Sequence, residues 1–248
     1  MINSYHNKII FFLHFHKCGG TTINSLFNHF NKHKPSHNGN PWNKTNENII
    51  KFWNYKKKKI NAFKKKLISQ HVNFVAFEWN YFKYYNNIDF KNIELIVCLR
   101  DPYSRYISNM KMDKCNDMKY YNKQQKKWSN KKADQRFYIN YNKYNYYVKM
   151  LNGYGDQPNI EVTNKHLEIA KKNLTKFSTV LILEDKDTFK LLKKYNINKI
   201  THKNKAVSTT PVVTNIDEFK MNNKYDYALY NYAVKLSRKR LKNINKDK

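Results

Sequence analysis

Ile9 to Leu13 form an unbroken apolar run, and six residues beyond it the chain reaches Gly19-Gly20 and then an amphipathic stretch from Thr22 to Phe30. A run without the alternating polarity of a half-exposed strand predicts a strand buried on both faces, as in parallel sheets covered by helices on each side. Strand, glycine turn and helix in that order constrain the chain more than any other feature. Such a turn can cradle an anion. Glycine lets the backbone come close, the first N–H groups of the helix have no intrahelical partners, and the helix dipole favours negative charge there. Lys17 adds a full positive charge beside them.

Further along, strands and helices alternate. Leu67 to Phe77 reads as a short strand leading into a loop or helix, with His71 at the strand's end. Ile93 to Leu99 reads as a buried strand closed by Arg100-Asp101-Pro102. Asp101 can cap the helix that follows, and Pro102 fits its first turn, where a missing N–H costs nothing. Phe137, Tyr141, Tyr144, Tyr147, Val148 and Leu151 keep helical spacing up to a stop at Gly153. Leu167 to Leu174 predicts a helix, Thr179 to Leu183 a strand and Thr188 to Tyr195 a helix, and an apolar stripe runs from Tyr225 to Leu236. Alternation of this kind predicts one α/β domain spanning residues 1–248, a three-layer sandwich with a mostly parallel sheet between helices. Residues 33–66 and 111–136 read as loop or helical insertions.

The formal charge of +30 admits an anionic partner: nucleic acid, a sulfated glycan or an acidic membrane. The chain is rich in Asn, Lys, Tyr and Ile, with only 5 Gly and 5 Pro, and this bias accounts for most of the charge. It also accounts for the tyrosine interleaved with lysine between Tyr120 and Tyr147, which argues against nucleic acid as the partner. Three cysteines, Cys18, Cys98 and Cys115, have no metal-like spacing. His29, His33 and His37 fall at helical spacing, but Pro35 breaks the face they would share, so no metal site is expected. No stretch approaches the roughly 20 apolar residues that span a bilayer. The first strand begins at Ile9, leaving no room for a signal or anchor ahead of it, so the expected compartment is the cytoplasm.

The run His16-Lys17-Cys18-Gly19-Gly20-Thr21-Thr22 resembles the 5′-phosphosulfate loop of sulfotransferases that use 3′-phosphoadenosine 5′-phosphosulfate (PAPS), especially the carbohydrate enzymes related to heparan sulfate 2-O- and 6-O-sulfotransferases. Leu99-Arg100-Asp101-Pro102-Tyr103-Ser104-Arg105-Tyr106-Ile107-Ser108 is similar to the 3′-phosphate motif of that family, L-R-D-P-x-x-R-x-x-S. Gln70-His71-Val72-Asn73-Phe74 looks like its G-H-V-x-F segment, with Gln70 in place of glycine. Asn145 to Gly153 looks like the family's N-x-x-x-R-x-L-x-G helix, with Lys149 where arginine is usual, and Asp226 to Ala233 is similar to its closing D-x-x-L-Y-x-Y-A helix. The resemblance covers about Ile9 to Arg240, outside the loops 33–66 and 111–132.

The resemblance implies PAPS as sulfuryl donor, without a metal, and an acceptor hydroxyl on a neutral or anionic glycan. It implies that Lys17, Cys18, Gly19, Gly20, Thr21 and Thr22 surround the 5′-phosphate, that Arg100 and Ser108 grip the 3′-phosphate, and that Lys203 and Lys205 are further phosphate contacts. Lys17 would also act in catalysis. His71 would be the base, with Glu78 in reserve. Arg105 reads as an internal ion-pair partner.

Three other classes compete. A nucleotide kinase or triphosphatase loop would read G-x-x-x-x-G-K-[ST], with lysine after the glycines rather than before them. A cysteine phosphatase would use Cys18 but needs an arginine six residues later, where Asn24 stands. A basic nucleic-acid-binding protein without catalysis is the non-enzymatic alternative.

Overall fold

A computed structural model describes residues 8–27, 65, 67–69, 72–78, 93–112, 144–154, 160–200 and 215–246. Among them, β1 (Ile9–His14), β2 (Phe74–Glu78), β3 (Ile93–Leu99) and β4 (Thr179–Ile182) form one sheet in the order β2-β1-β3-β4. Every pairing is parallel. The helices are α1 (Gly20–Leu26), α2 (Pro102–Met112), α3 (Tyr146–Asn152), α4 (Asn164–Thr175), α5 (Ile216–Asn222) and α6 (Lys224–Lys246), with a 3-10 helix over Lys186–Tyr195.

Side-chain alternation along the strands divides the core in two. Ile9, Phe11 and Leu13 of β1, with Val75, Leu95, Val97, Leu99, Val180 and Ile182, pack with residues of α3, α4 and α6. Ile10 and Phe12, with Phe74, Ala76, Ile96, Cys98 and Leu181, pack in a second cluster with Ile23, Leu26 and Phe27 and with the 3-10 helix residues Phe189, Leu191, Leu192 and Tyr195. All six residues of β1 are buried, which is why the run shows no polar alternation.

Helix α6 runs ten residues past the apolar stripe that ends at Leu236. Its Ser237 hydroxyl donates to the Val180 carbonyl (2.6 Å) on the outer edge of β4. Beyond it, Leu241 and Ile244 join the second cluster, so α6 wraps the edge strand.

Three expectations shift. The strand expected from Leu67 begins at Phe74. Residues 67–69 are helical, with Leu67 buried and Ile68 57% exposed, and Val72 N–H closes the turn onto the Leu67 carbonyl (2.9 Å). The segment expected as a helix over Thr188–Tyr195 is wound as a 3-10 helix. Its first turn is tied to the strand end by Thr188, whose hydroxyl accepts from Ile182 N–H (3.0 Å) and approaches the Asp185 carbonyl at 2.7 Å. The helix expected from Phe137 is α3, beginning at Tyr146, and 137–143 lie outside the described residues, as do nearly all of 33–66 and 111–136. Among the described residues, no helix is long and apolar enough to cross a membrane.

Candidate functional site

The chain leaves β1 for β2 on one side of it and then crosses to β3 on the other. In open α/β sheets, ligands bind at the carboxyl ends of strands where the order reverses in this way, here between β1 and β3. Two segments flank that point, the loop from Phe15 to Gly19 after β1 and Arg100-Asp101 after β3.

The first loop is tight. Cys18 N–H donates to the Phe15 carbonyl (3.1 Å), Lys17 takes a left-handed backbone (φ 64°), and Gly19 does the same (φ 78°) as the residue preceding α1. Glycine suits the first position of the pair through its left-handed backbone and the second through packing. A Cβ at Gly19 would lie 2.7 Å from Leu183 Cδ1, and one at Gly20 would fall inside the His14 ring. Thr22 is buried, whereas Thr21 is exposed.

Cys18 faces inward. Its Sγ lies 3.2 Å from the Tyr147 hydroxyl, and its N–H is taken by Phe15, so it shapes the loop rather than offering a donor at the edge. Burial pushes its thiol up to about 12, opposed in part by the Tyr147 hydroxyl, Arg105 and Arg100. A thiol so poorly ionised has no footing as a phosphatase nucleophile.

On the β3 side, the Asp101 carboxylate accepts the Ser104 N–H (2.8 Å), the cap expected for α2. Arg100 points back across the switch point, and its Nη1 donates to the Lys17 carbonyl at 3.4 Å. Its Nε lies 3.6 Å from Glu184 Oε1, just beyond β4. The Glu184 carboxylate also accepts the Asp101 N–H (3.2 Å) and the Tyr230 hydroxyl (3.1 Å). Ser108 is half-buried, two turns along α2.

Arg105 is buried, as an internal role requires. Its guanidinium carbon sits 4.1 Å from the centre of the Tyr146 ring and 5.9 Å from that of Tyr147. Asp226 adds its negative charge to that surrounding.

Two adjacent tyrosines join the segments from behind. Tyr146 OH accepts the His16 N–H (3.0 Å). Tyr147 OH donates to the Arg100 carbonyl (2.7 Å) and accepts the Arg100 N–H (3.1 Å). The sequence pattern places Tyr147 in a helical apolar stripe and in the N-x-x-x-R-x-L-x-G-like stretch, without giving it a partner. The signal that could have found both is that a buried tyrosine hydroxyl needs a partner. Glu184 was equally legible as the first acid beyond a buried strand.

On the far side of β1, β2 ends at Glu78, in register with His14. Glu78 therefore stands at the carboxyl edge. His71, Lys203 and Lys205 lie outside the described residues.

As a donor set, Lys17, Arg100 and the exposed Thr21 hydroxyl suit a phosphate better than a neutral ligand. Among the described residues, no group of three or more His, Cys, Asp or Glu side chains is arranged to hold a metal ion. A scan against models of protein families finds no match for this chain, and a search of curated proteins finds no relative.

Proposed function

We propose that the chain is a sulfotransferase that moves a sulfuryl group from PAPS to an acceptor hydroxyl, with a glycan as the acceptor class. The observation that carries this reading is the contact between Arg100 and the Lys17 carbonyl across the β1/β3 switch point. It brings the two stretches that resemble the 5′- and 3′-phosphate motifs within reach of one nucleotide carrying both phosphates. The left-handed Lys17 backbone adds support, since strained residues gather at functional sites.

PAPS, as the donor substrate, supplies an activated sulfuryl group and a phosphate leaving group. Lys17 and the loop amides neutralise charge that grows on that phosphate, and Arg100 holds the 3′-phosphate in exchange for Glu184. The acceptor oxygen bonds to sulfur as the bridging oxygen departs with the nucleotide, and the acceptor proton passes to a base. Glu78 takes first place for that role, ahead of His71, because β2 starts at Phe74 and ends at Glu78 on the carboxyl edge. Little covalent work is left for the protein, so positioning and charge carry most of the rate.

The test is thermal unfolding and calorimetry with adenosine 3′,5′-bisphosphate and with ATP plus magnesium. The bisphosphate at 100 times its Kd should raise stability by about 2.7 kcal/mol, and ATP should do far less. Lys17→Ala and Arg100→Ala should each weaken the bisphosphate about tenfold or more. Equal or stronger stabilisation by ATP would move the chain to the nucleotide kinases, and binding of neither would sink the reading.

A further inference from the structure

The two phosphate-facing segments belong to different strands, and something must set the gap between them. Arg100 lies past the last paired residue of β3, and both of its backbone polar groups are taken by one phenol. The single proton of Tyr147 goes to the Arg100 carbonyl at 2.7 Å, and the oxygen accepts the Arg100 N–H at 3.1 Å. The remaining lone pair faces Cys18 Sγ at 3.2 Å, in the other loop. One hydroxyl thus touches both segments with its full bonding capacity. The Tyr146 hydroxyl takes His16 N–H of the first loop, while its ring lies under Arg105 of α2.

The rings themselves are fixed. Phe15 packs against both, with centroids 5.8 and 5.2 Å away, and the Arg105 guanidinium lies over Tyr146. Their helix is anchored in turn, because the Asp226 carboxylate accepts Tyr147 N–H (3.1 Å) and Val148 N–H (3.0 Å), and Asn223 Oδ1 accepts Asn145 N–H (2.9 Å).

We propose that Tyr147 is a positioning residue that sets the separation of the Lys17 loop from Arg100, and so sets a preference for a nucleotide with phosphates at both its 5′ and 3′ ends, while the Tyr146 hydroxyl orients the Lys17 loop. This rests on the nucleotide reading above and deepens it.

The experiment compares the affinities of adenosine 3′,5′-bisphosphate and adenosine 5′-monophosphate for the full chain and for Tyr147→Phe and Tyr146→Phe. Tyr147→Phe should cost the bisphosphate about tenfold and the monophosphate less than about threefold, collapsing the gain that the 3′-phosphate brings. Tyr146→Phe should weaken both ligands by the same factor. A purely structural tyrosine would lower the melting temperature and leave the ratio of the two affinities as in the wild type, and that result overturns the proposal. If Tyr147→Phe does not fold, Tyr146→Phe decides, since a loss confined to the bisphosphate, or no loss, contradicts the division of roles. A wild-type chain that binds neither nucleotide refutes the nucleotide reading and this inference with it, whereas wild-type binding of both with an unchanged Tyr147→Phe ratio refutes the inference alone.

Discussion

Gly20 has no side chain because His14 occupies the space where one would be. Gly20→Ala should therefore destabilise the chain by about 1–3 kcal/mol, the usual cost of forcing a methyl group into a packed site. Removing the obstacle should relieve it. In a double-mutant cycle measured by chemical unfolding, Gly20→Ala in a His14→Ala background should cost well under half of that, and strict additivity would show that the clash is not what the glycine avoids. The strand, glycine turn and helix were legible in the sequence, but this packing requirement was not, because nothing in a linear reading puts the ring at 14 against the backbone at 20. The strand expected from Leu67 with His71 at its end runs seven residues later, from Phe74 to Glu78. With β2 ending at Glu78, Glu78→Gln should lower kcat about 10²–10⁴-fold with a smaller change in KM. A full rate in Glu78→Gln beside a dead His71→Asn would restore the opposite order.

At the scale of elements, α3 owes its place to α6. Asp226 is 1% exposed, and burial raises its carboxyl from 3.8 to about 6, against the pull of the Val148 and Tyr147 amides and of Arg105 and Lys149. A raised carboxyl means that the folded chain holds the proton more tightly than the unfolded chain. Its stabilising share is complete below about pH 3.8 and is lost as pH rises through about 6. Glu94, near the amino end of β3, has the reverse sign. Burial alone would raise it, but Tyr195, Lys194 and Lys8 bring it to about 2, so its share is present above pH 4.5 and fades toward pH 2. Melting curves of Asp226→Asn and wild type should therefore draw together or cross between pH 4 and 6.5, the wild type losing up to about 3 kcal/mol relative to the variant over that span. A pH-independent difference would mean that Asp226 titrates normally. The burial and partners of Asp226 are not legible in the sequence, which offers it only as the first residue of the D-x-x-L-Y-x-Y-A stretch. The extension of α6 beyond Leu236 was equally hidden, because Ser237, Leu241 and Ile244 are too sparse to continue a periodic pattern.

For the molecule as a whole, the parallel sheet was the most legible feature. Ile9–Leu13 and Ile93–Leu99 announce strands buried on both faces, and the intervening lengths demand crossovers. What could not be read was how the strands are ordered, which decides that the Lys17 loop and Arg100 meet. That meeting rests on a backbone held against its own preference. At Lys17 (φ 64°) a glycine would sit at ease, and Lys17→Gly should gain about 1 kcal/mol of stability, seen as a higher melting temperature. The same change should abolish turnover, and a stabilised variant that kept its rate would show that the lysine side chain is dispensable. Robustness alone would favour glycine at this position, and the proposed reading accounts for lysine there by the charge it brings beside the nucleotide.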